Sequence, residues 1–248
     1  MLALLLISDW LPWTAGGILL FSIWIAISAA RARKRSQAFS ASALEMGFAF
    51  EGETWSDPQK APHLNTTLFT KGRAKTFRNV MTGSSTSLHV SLFDYSYVVS
   101  DGRNSRTRAQ TVASFSKTGV QLSELQMGPK GLLQKFDDAL FHTNINFDSH
   151  ADFSRRYQVR SPTQEKTREL FTGSLLSFFE SLDPRQEWRL EGLEETLMVY
   201  RAGKRVKPEN LRVFLDETAR LTIHSSALAI AKDLRPKKRK ELTESARK

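Results

Sequence analysis

Residues 11–30 read LPWTAGGILLFSIWIAISAA, twenty positions without a charged side chain. An α-helix rises ~1.5 Å per residue, so a run of this length matches the ~30 Å hydrocarbon core of a bilayer. Both ends are marked. Trp10 and Trp13 flank Pro12 at the start, where indole rings favour the membrane interface, and Arg31, Arg33, Lys34 and Arg35 close the other end. The run therefore predicts a transmembrane helix with those six residues as its interfacial anchors. A cleaved signal peptide is the competing reading, since Ser28-Ala29-Ala30 offers small residues near a cleavage point. Signal peptides carry their positive charge before the apolar stretch, whereas here the first thirty residues contain no Lys or Arg. A buried core helix is disfavoured because such helices rarely run so long without charge. The charge asymmetry predicts a single-pass protein of the inner (plasma) membrane, with a short outer N-terminus and a cytoplasmic soluble domain.

The formal net charge of +10 raises nucleic acid as a partner, but its distribution argues against one. Between Ser36 and Ala231 there are 24 basic and 22 acidic residues, so the body is nearly neutral and gives no sign of a basic groove. The excess sits at residues 31–35 and in the tail, 232–248, which has eight basic and three acidic residues. Within that tail Lys237, Lys238, Arg239 and Lys240 resemble a nuclear-localisation run, an address of little use to an anchored chain. Attraction to anionic lipid headgroups, at ~1 kcal/mol per basic residue, is the alternative reading; a solvated, disordered tail is the plain one. The chain has no cysteine, which removes disulfides, thiolate nucleophiles and zinc ribbons.

The chain divides into a short N-terminal segment (1–10), the transmembrane helix (11–30), a basic flank with a stalk helix and a loop (31–63), a soluble domain (64–231) and the basic tail (232–248). Residues 36–46 read as helix with Gly47 as its stop, and 51–65, with Pro58 and Pro62, read as loop. From 75 to 115 a period of two, with turn residues at 82–85 and 100–104, predicts a three-stranded antiparallel meander. Its central strand places Val90, Leu92, Asp94 and Val98 on one face, and Phe93, Tyr95 and Tyr97 on the other. Further on, 131–141 reads as helix and 153–159 as strand. Ser161-Pro162-Thr163-Gln164 opens a helix that Thr172-Gly173 interrupts. A hairpin is expected around Gly192, and Pro208 starts a final helix with Leu211, Phe214, Leu215, Thr218 and Leu221 on one face. Strands with helices between and after them predict an α+β domain built on antiparallel sheet.

Two places invite a chemical reading. In Asp148-Ser149-His150-Ala151-Asp152, an extended backbone would project Asp148, His150 and Asp152 to one side, as a divalent-metal site or a metal-dependent hydrolase would require. A polar surface loop has the same composition. Asp94, on an aliphatic face, needs a partner, and Arg78, Arg106 and Arg108 on neighbouring strands are candidates for a structural charge pair. Phe153-Ser154-Arg155-Arg156-Tyr157 mixes aromatic and basic residues, but one such strand in a near-neutral body is a solvated surface. There is no phosphate-binding glycine-rich loop, no His-Glu-x-x-His and no Gly-x-Ser-x-Gly, and five scattered histidines suggest no triad. No cofactor is therefore expected.

From residue 64 to 228 the chain resembles a family of uncharacterised, membrane-anchored bacterial proteins, through Arg78-Asn79-Val80, Phe93-Asp94-Tyr95-x-Tyr97, Gln110-Thr111-Val112 and Phe153-Ser154-Arg155-Arg156-Tyr157. The resemblance implies a bacterial membrane location and brings with it no reaction, cofactor or catalytic residue. The expectation is a membrane-tethered interaction or scaffold domain, non-enzymatic, with the lipid bilayer and an unidentified protein as partners. The alternatives are the hydrolase and an anionic-lipid-binding role for the basic ends.

Overall fold

The computed structural model describes residues 11–54, 66–85, 87–100, 102, 104–131 and 144–224, with side chains described between residues 16 and 222. The first element, α1 (Leu11–Met46), is one unbroken helix of 36 residues. Gly47, at φ +73°, ends it in the left-handed conformation that glycine adopts without a Cβ penalty. Phe48 N–H then bonds to the Ala43 carbonyl and Gly47 N–H to the Leu44 carbonyl, satisfying two of the last-turn acceptors.

The two parts of α1 differ in what surrounds them. Ile18, Leu19, Leu20, Phe21, Ile23, Trp24, Ile25 and Ile27 are all exposed, on every side of the helix. An apolar surface without a polar face suits lipid rather than water. This is the one helix among the described residues long and apolar enough to cross a membrane. Beyond Lys34 the pattern changes: Ser36, Phe39 and Ala43 are buried at i, i+3 and i+7, a stripe that packs on the soluble fold. Phe39 and Ala43 belong to the main hydrophobic core, so the stalk expected at 36–46 is a structural helix of the domain.

The sheet has nine described strands, all antiparallel: β1 (Ala49–Thr54), β2 (Arg73–Ser84), β3 (Leu88–Ser100), β4 (Ser105–Lys117), β5 (Leu122–Pro129), β6 (Asn144–Ile145), β7 (Tyr157–Arg160), β8 (Trp188–Glu194) and β9 (Thr196–Arg201). Their order is β1-β2-β3-β4-β9-β8-β5-β7-β6. The helices are α2 (Thr67–Thr70), α3 (Ala151–Arg156), α4 (Gln164–Leu170), α5 (Gly173–Ser181) and α6 (Leu211–His224). The molecule is thus an α+β fold behind an N-terminal apolar helix.

One sheet face carries Val90, Leu92, Ala113, Phe115, Leu190 and Val199, packed beneath the second half of α1 and helices α3 to α6. Trp188 stacks on Phe214 of α6 with centroids 5.8 Å apart, and the Arg201 guanidinium lies 5.0 Å and 5.2 Å from the two rings. Fully burying a side chain of this size stabilises by ~1.5–3 kcal/mol, so this face supplies most of the driving force. The opposite face is aromatic: Phe93, Tyr95, Tyr200 and Val112 pack with Leu68 and Phe69 of α2.

Several elements depart from expectation for identifiable reasons. The meander is β2–β4, with both strand faces as the alternation predicts. The expected loop begins later than residue 51, because 49–54 form β1 along the edge of β2. Residues 151–156 are helical, and the strand begins only at Tyr157. Phe153 and Tyr157 are four apart, a spacing that puts both on one side of either a helix or a strand, so periodicity does not decide. The hairpin turn falls at Glu194-Glu195, not at Gly192. Gly192 lies within β8, where a Cβ would meet Leu125 Cγ at 3.0 Å, so its role is close packing. Pro162 precedes α4, which starts at Gln164. Thr172 then caps α5 by accepting from Leu175 N–H at 3.3 Å. The helix expected at 131–141 lies, beyond Gly131, outside the described residues.

Candidate functional site

Asp94 sits near the middle of β3 on the aliphatic face and is 2% exposed. An unpaired carboxylate there would be strongly disfavoured. Four donors surround it. Arg35 Nε reaches Oδ2 at 2.6 Å and Arg35 Nη2 reaches Oδ1 at 2.8 Å, a two-pronged, charge-assisted contact. Asn79 Nδ2 donates to Oδ2 at 2.9 Å and Thr111 Oγ1 donates to Oδ1 at 2.8 Å. The network continues outward: Arg35 Nη2 donates to the Val206 carbonyl at 2.9 Å, and Val206 N–H donates to Thr111 Oγ1 at 2.9 Å. The Arg35 guanidinium also lies 4.9 Å from the Phe39 ring centroid, one turn further along α1.

The backbone explains why this arginine is the partner. Arg78 stands opposite Asp94 in the β2–β3 register, but β2 bulges between Arg78 and Met81. Asn79 takes φ +54° in the bulge, turning its amide to the carboxylate while Arg78 stays exposed. Arg106 and Arg108 pair with Val99 and Tyr97 and so belong to the other face. The three expected arginines are therefore replaced by Arg35, which the sequence marks as a headgroup anchor. The available signal was the buried stripe of Ser36, Phe39 and Ala43 that begins beside it. With both oxygens doubly bonded, Asp94 has no open position for a substrate and acts as a rivet between helix and sheet.

A second buried carboxylate, Glu191 of β8, stands out on the aromatic face at 5% exposure. Tyr200 Oη donates to Oε1 at 2.6 Å, and Leu68 N–H donates to Oε2 at 2.9 Å. Leu68 is in the first turn of α2, whose N–H groups have no intrahelical partner, so Glu191 caps that turn from another strand. Burial pushes the hydroxyls of Tyr95, Tyr97 and Tyr200 up from their ordinary value, and nearby Glu191 adds to each shift. These tyrosines stay protonated; Tyr200 donates to Glu191 and Tyr95 to the Leu68 carbonyl. This residue is not among the candidates read from the sequence; the signal available for it is the alternation of Trp188 and Leu190 with Arg189 and Glu191.

The 148–152 segment is built differently from the extended chain expected of it. Asp148 and Ser149 form a turn, and His150 precedes the first residue of α3. His150 Nδ1 lies 3.1 Å from Glu180 Oε2 on α5, and Glu180 Oε1 accepts from Phe153 N–H at 3.0 Å. That His150 hydrogen bond is the main reason the Glu180 carboxyl is held below its usual 4.5. Asp152 is exposed and pairs with Arg155 one turn on, while Asp148 faces water. Among the described residues, no three His, Asp or Glu side chains converge as a metal would require. The alternation that would join Asp148, His150 and Asp152 is lost once the chain turns into a helix, and with it the geometric basis of the hydrolase reading. Arg156 donates to the Glu180 and Leu182 carbonyls at 2.8 Å and 2.6 Å, closing the C-terminal end of α5.

Arg31, Arg33 and Lys34 are exposed along α1. The Trp13 side chain, Trp10, and Lys237, Lys238, Arg239 and Lys240 lie outside the described residues. On the outer side of α1, Gln37, Ser40, Ala41 and Leu44 line an open groove of ~460 Å³ with Phe48 and Phe50 of the β1 region. Leu44 is 82% exposed at its edge, among the most exposed large apolar side chains outside the membrane run.

No protein-family model matches the chain, and no curated protein matches it. Among solved structures, the chain is similar to the crystal structure of the mycobacterial trehalose monomycolate transport factor A, TtfA. The identity is 16% and the TM-score 0.52, over 76% of this chain and 90% of that one. The two share a fold.

Proposed function

We propose that this chain is a membrane-tethered interaction domain: α1 spans the inner membrane, the domain lies in the cytoplasm, and the groove beside Leu44 receives a protein partner. The observation that carries the reading is that groove. There, exposed Leu44 lies beside half-buried Phe48 and Phe50, an apolar surface next to the helix that is read as entering the bilayer. The fold it shares with a protein named a transport factor is in keeping with this reading. The saturated Asp94 and the divided 148–152 segment support binding over catalysis.

A photo-crosslinking side chain at position 44, in intact membranes, is expected to give a discrete protein adduct. The same probe at Val213, exposed on α6, should give none. Absence of an adduct at 44 overturns the reading. Orientation has its own test: protease added to intact cells leaves a cytoplasmic domain uncut, and digestion would reverse the assignment.

A further inference from the structure

The near-neutral body is electrically divided. Residues 66–117 contain eight Lys or Arg and two Asp, and one of those, Asp94, is buried against Arg35. Arg73 and Lys75 begin β2, Arg106 and Arg108 begin β4, and all four are exposed. They surround one end of the sheet, the β3–β4 turn after Ser100. The β4–β9 pairing ends at Val112, so residues 105–110, with their β3 partners and the start of β2 that pairs with β3 as far as Val98, project past β9 and β8. Tyr97, Val98 and Val99 are only half-buried on this ribbon, which gives it apolar as well as basic surface.

The contacts along α1 show which way the ribbon points. Arg35 meets Asp94, and two residues past the helix end Phe48 meets Gly83, whose β3 partner is Val90. Moving up α1 toward its apolar part therefore means moving along β3 from Val90 through Asp94 to Ser100. From Asp94 to Ser100 a strand covers ~20 Å, and still ~14 Å if inclined at 45°. From Arg35 back to Ala30 the helix climbs only ~7.5 Å. The ribbon is thus more than long enough to reach the level at which the apolar helix ends, where the headgroup layer of a bilayer spanned by α1 would lie. Lys204, Arg205 and Lys207 are exposed beside it, on a loop held to β4 by the Thr111 N–H to Lys204 carbonyl bond.

We propose that this end of the sheet is a second membrane contact, in which Arg73, Lys75, Arg106 and Arg108 bring the β3–β4 ribbon against the headgroups of anionic lipids. The contact rests on the reading of α1 as a bilayer-spanning helix. It is separate from the basic tail and belongs to the folded domain. The ribbon meets phosphate with guanidinium groups, which pair with it in a planar, two-pronged way, and it presents half-buried valines and a tyrosine to the interface.

The chain has no cysteine, so a single introduced one is a unique label site. Full-length protein carrying Ser100→Cys, labelled with a fluorophore, is reconstituted into vesicles of phosphatidylcholine alone or mixed with phosphatidylglycerol. Each vesicle also contains a lipid with a quencher on its headgroup. Quenching at position 100 is expected to be at least about twofold stronger in the anionic vesicles, and to fall as salt shortens the screening length. The combined variant Arg73→Gln, Arg106→Gln, Arg108→Gln should remove the difference. A label at Thr118→Cys, ~40 Å away at the far end of β4, should show none. Flotation of the same vesicles separates the failures. Protein that does not float removes the spanning helix and this contact together. Protein that floats, but is quenched at 100 equally in both lipids, overturns the ribbon contact alone.

Discussion

Asp94 and Asp152 are both carboxylates paired with an arginine, and they play opposite parts. Asp94 is buried and collects donors from α1, β2 and β4, so that one side chain ties three elements far apart in sequence. Asp152 lies in water and pairs with Arg155 of its own helix, a contact one turn long. The difference is the number of independent elements that converge and the water that remains between them. A charge held by several elements without water is expensive to disturb, and a charge held by one neighbour in water is nearly free to change.

The largest effect tests the buried node. Asp94→Ala leaves the Arg35 guanidinium half-buried without its counter-charge and orphans the Asn79 amide, and should destabilise the domain by ~3–5 kcal/mol in denaturant titrations. Arg35→Ala should cost a similar amount, and the double variant less than the sum of the two. Additive losses would show that Asp94 and Arg35 do not act as a unit. Next comes Glu191→Gln, whose oxygen can still accept from Leu68 N–H while its amide donates to Tyr200 Oη, so that charge-assisted bonds become neutral ones, for ~1–2 kcal/mol. A loss as large as that at Asp94 would place the second face on equal terms with the first.

A smaller effect is expected at His150–Glu180, which is partly exposed. Glu180→Gln should change stability by less than ~1 kcal/mol. Because the folded carboxyl lies below its usual 4.5, its contribution is present above that pH and fades as pH falls through the folded value. The variant should therefore melt slightly below the parent at neutral pH and converge with it as pH falls through the folded value, flattening the acid limb of a melting-temperature curve. Smallest of all, Asp148→Ala and Asp152→Ala should each stay within ~0.5 kcal/mol of the parent. Zinc or magnesium titrated calorimetrically into these variants and the parent should give indistinguishable heats; a site lost with either aspartate would undo the contrast between a buried and a solvated carboxylate.

The meander and its two faces could be read from the alternation of β3, because a strand buried on one face must alternate. So could the last helix, from the spacing of Leu211, Phe214, Leu215, Thr218 and Leu221. What escaped was long-range. Arg35 and Asp94 are 59 positions apart, and no local pattern pairs a basic residue beside an apolar helix with an acid in a strand. A bulge at Asn79 also overrode the register that favoured Arg78. At 148–157 the same residues satisfied two periods, and packing of Phe153 against Phe147, Phe171 and Phe179 decided for a helix. Charge counted over 36–231 averaged a basic ribbon with more acidic segments elsewhere, and so concealed both.

The unbroken run of α1 from the apolar residues to Met46 has a mechanical consequence. A flexible linker would let the domain swivel, but a helix transmits the angle at which it is held. Each added residue turns the chain beyond it by ~100° and advances it by ~1.5 Å. With α1 spanning a bilayer as proposed, bearing and height of the groove above it are therefore geared together, like a nut on a screw. One alanine inserted between Ala30 and Arg35 would leave the domain folded and the span intact, yet aim the groove toward a different neighbour.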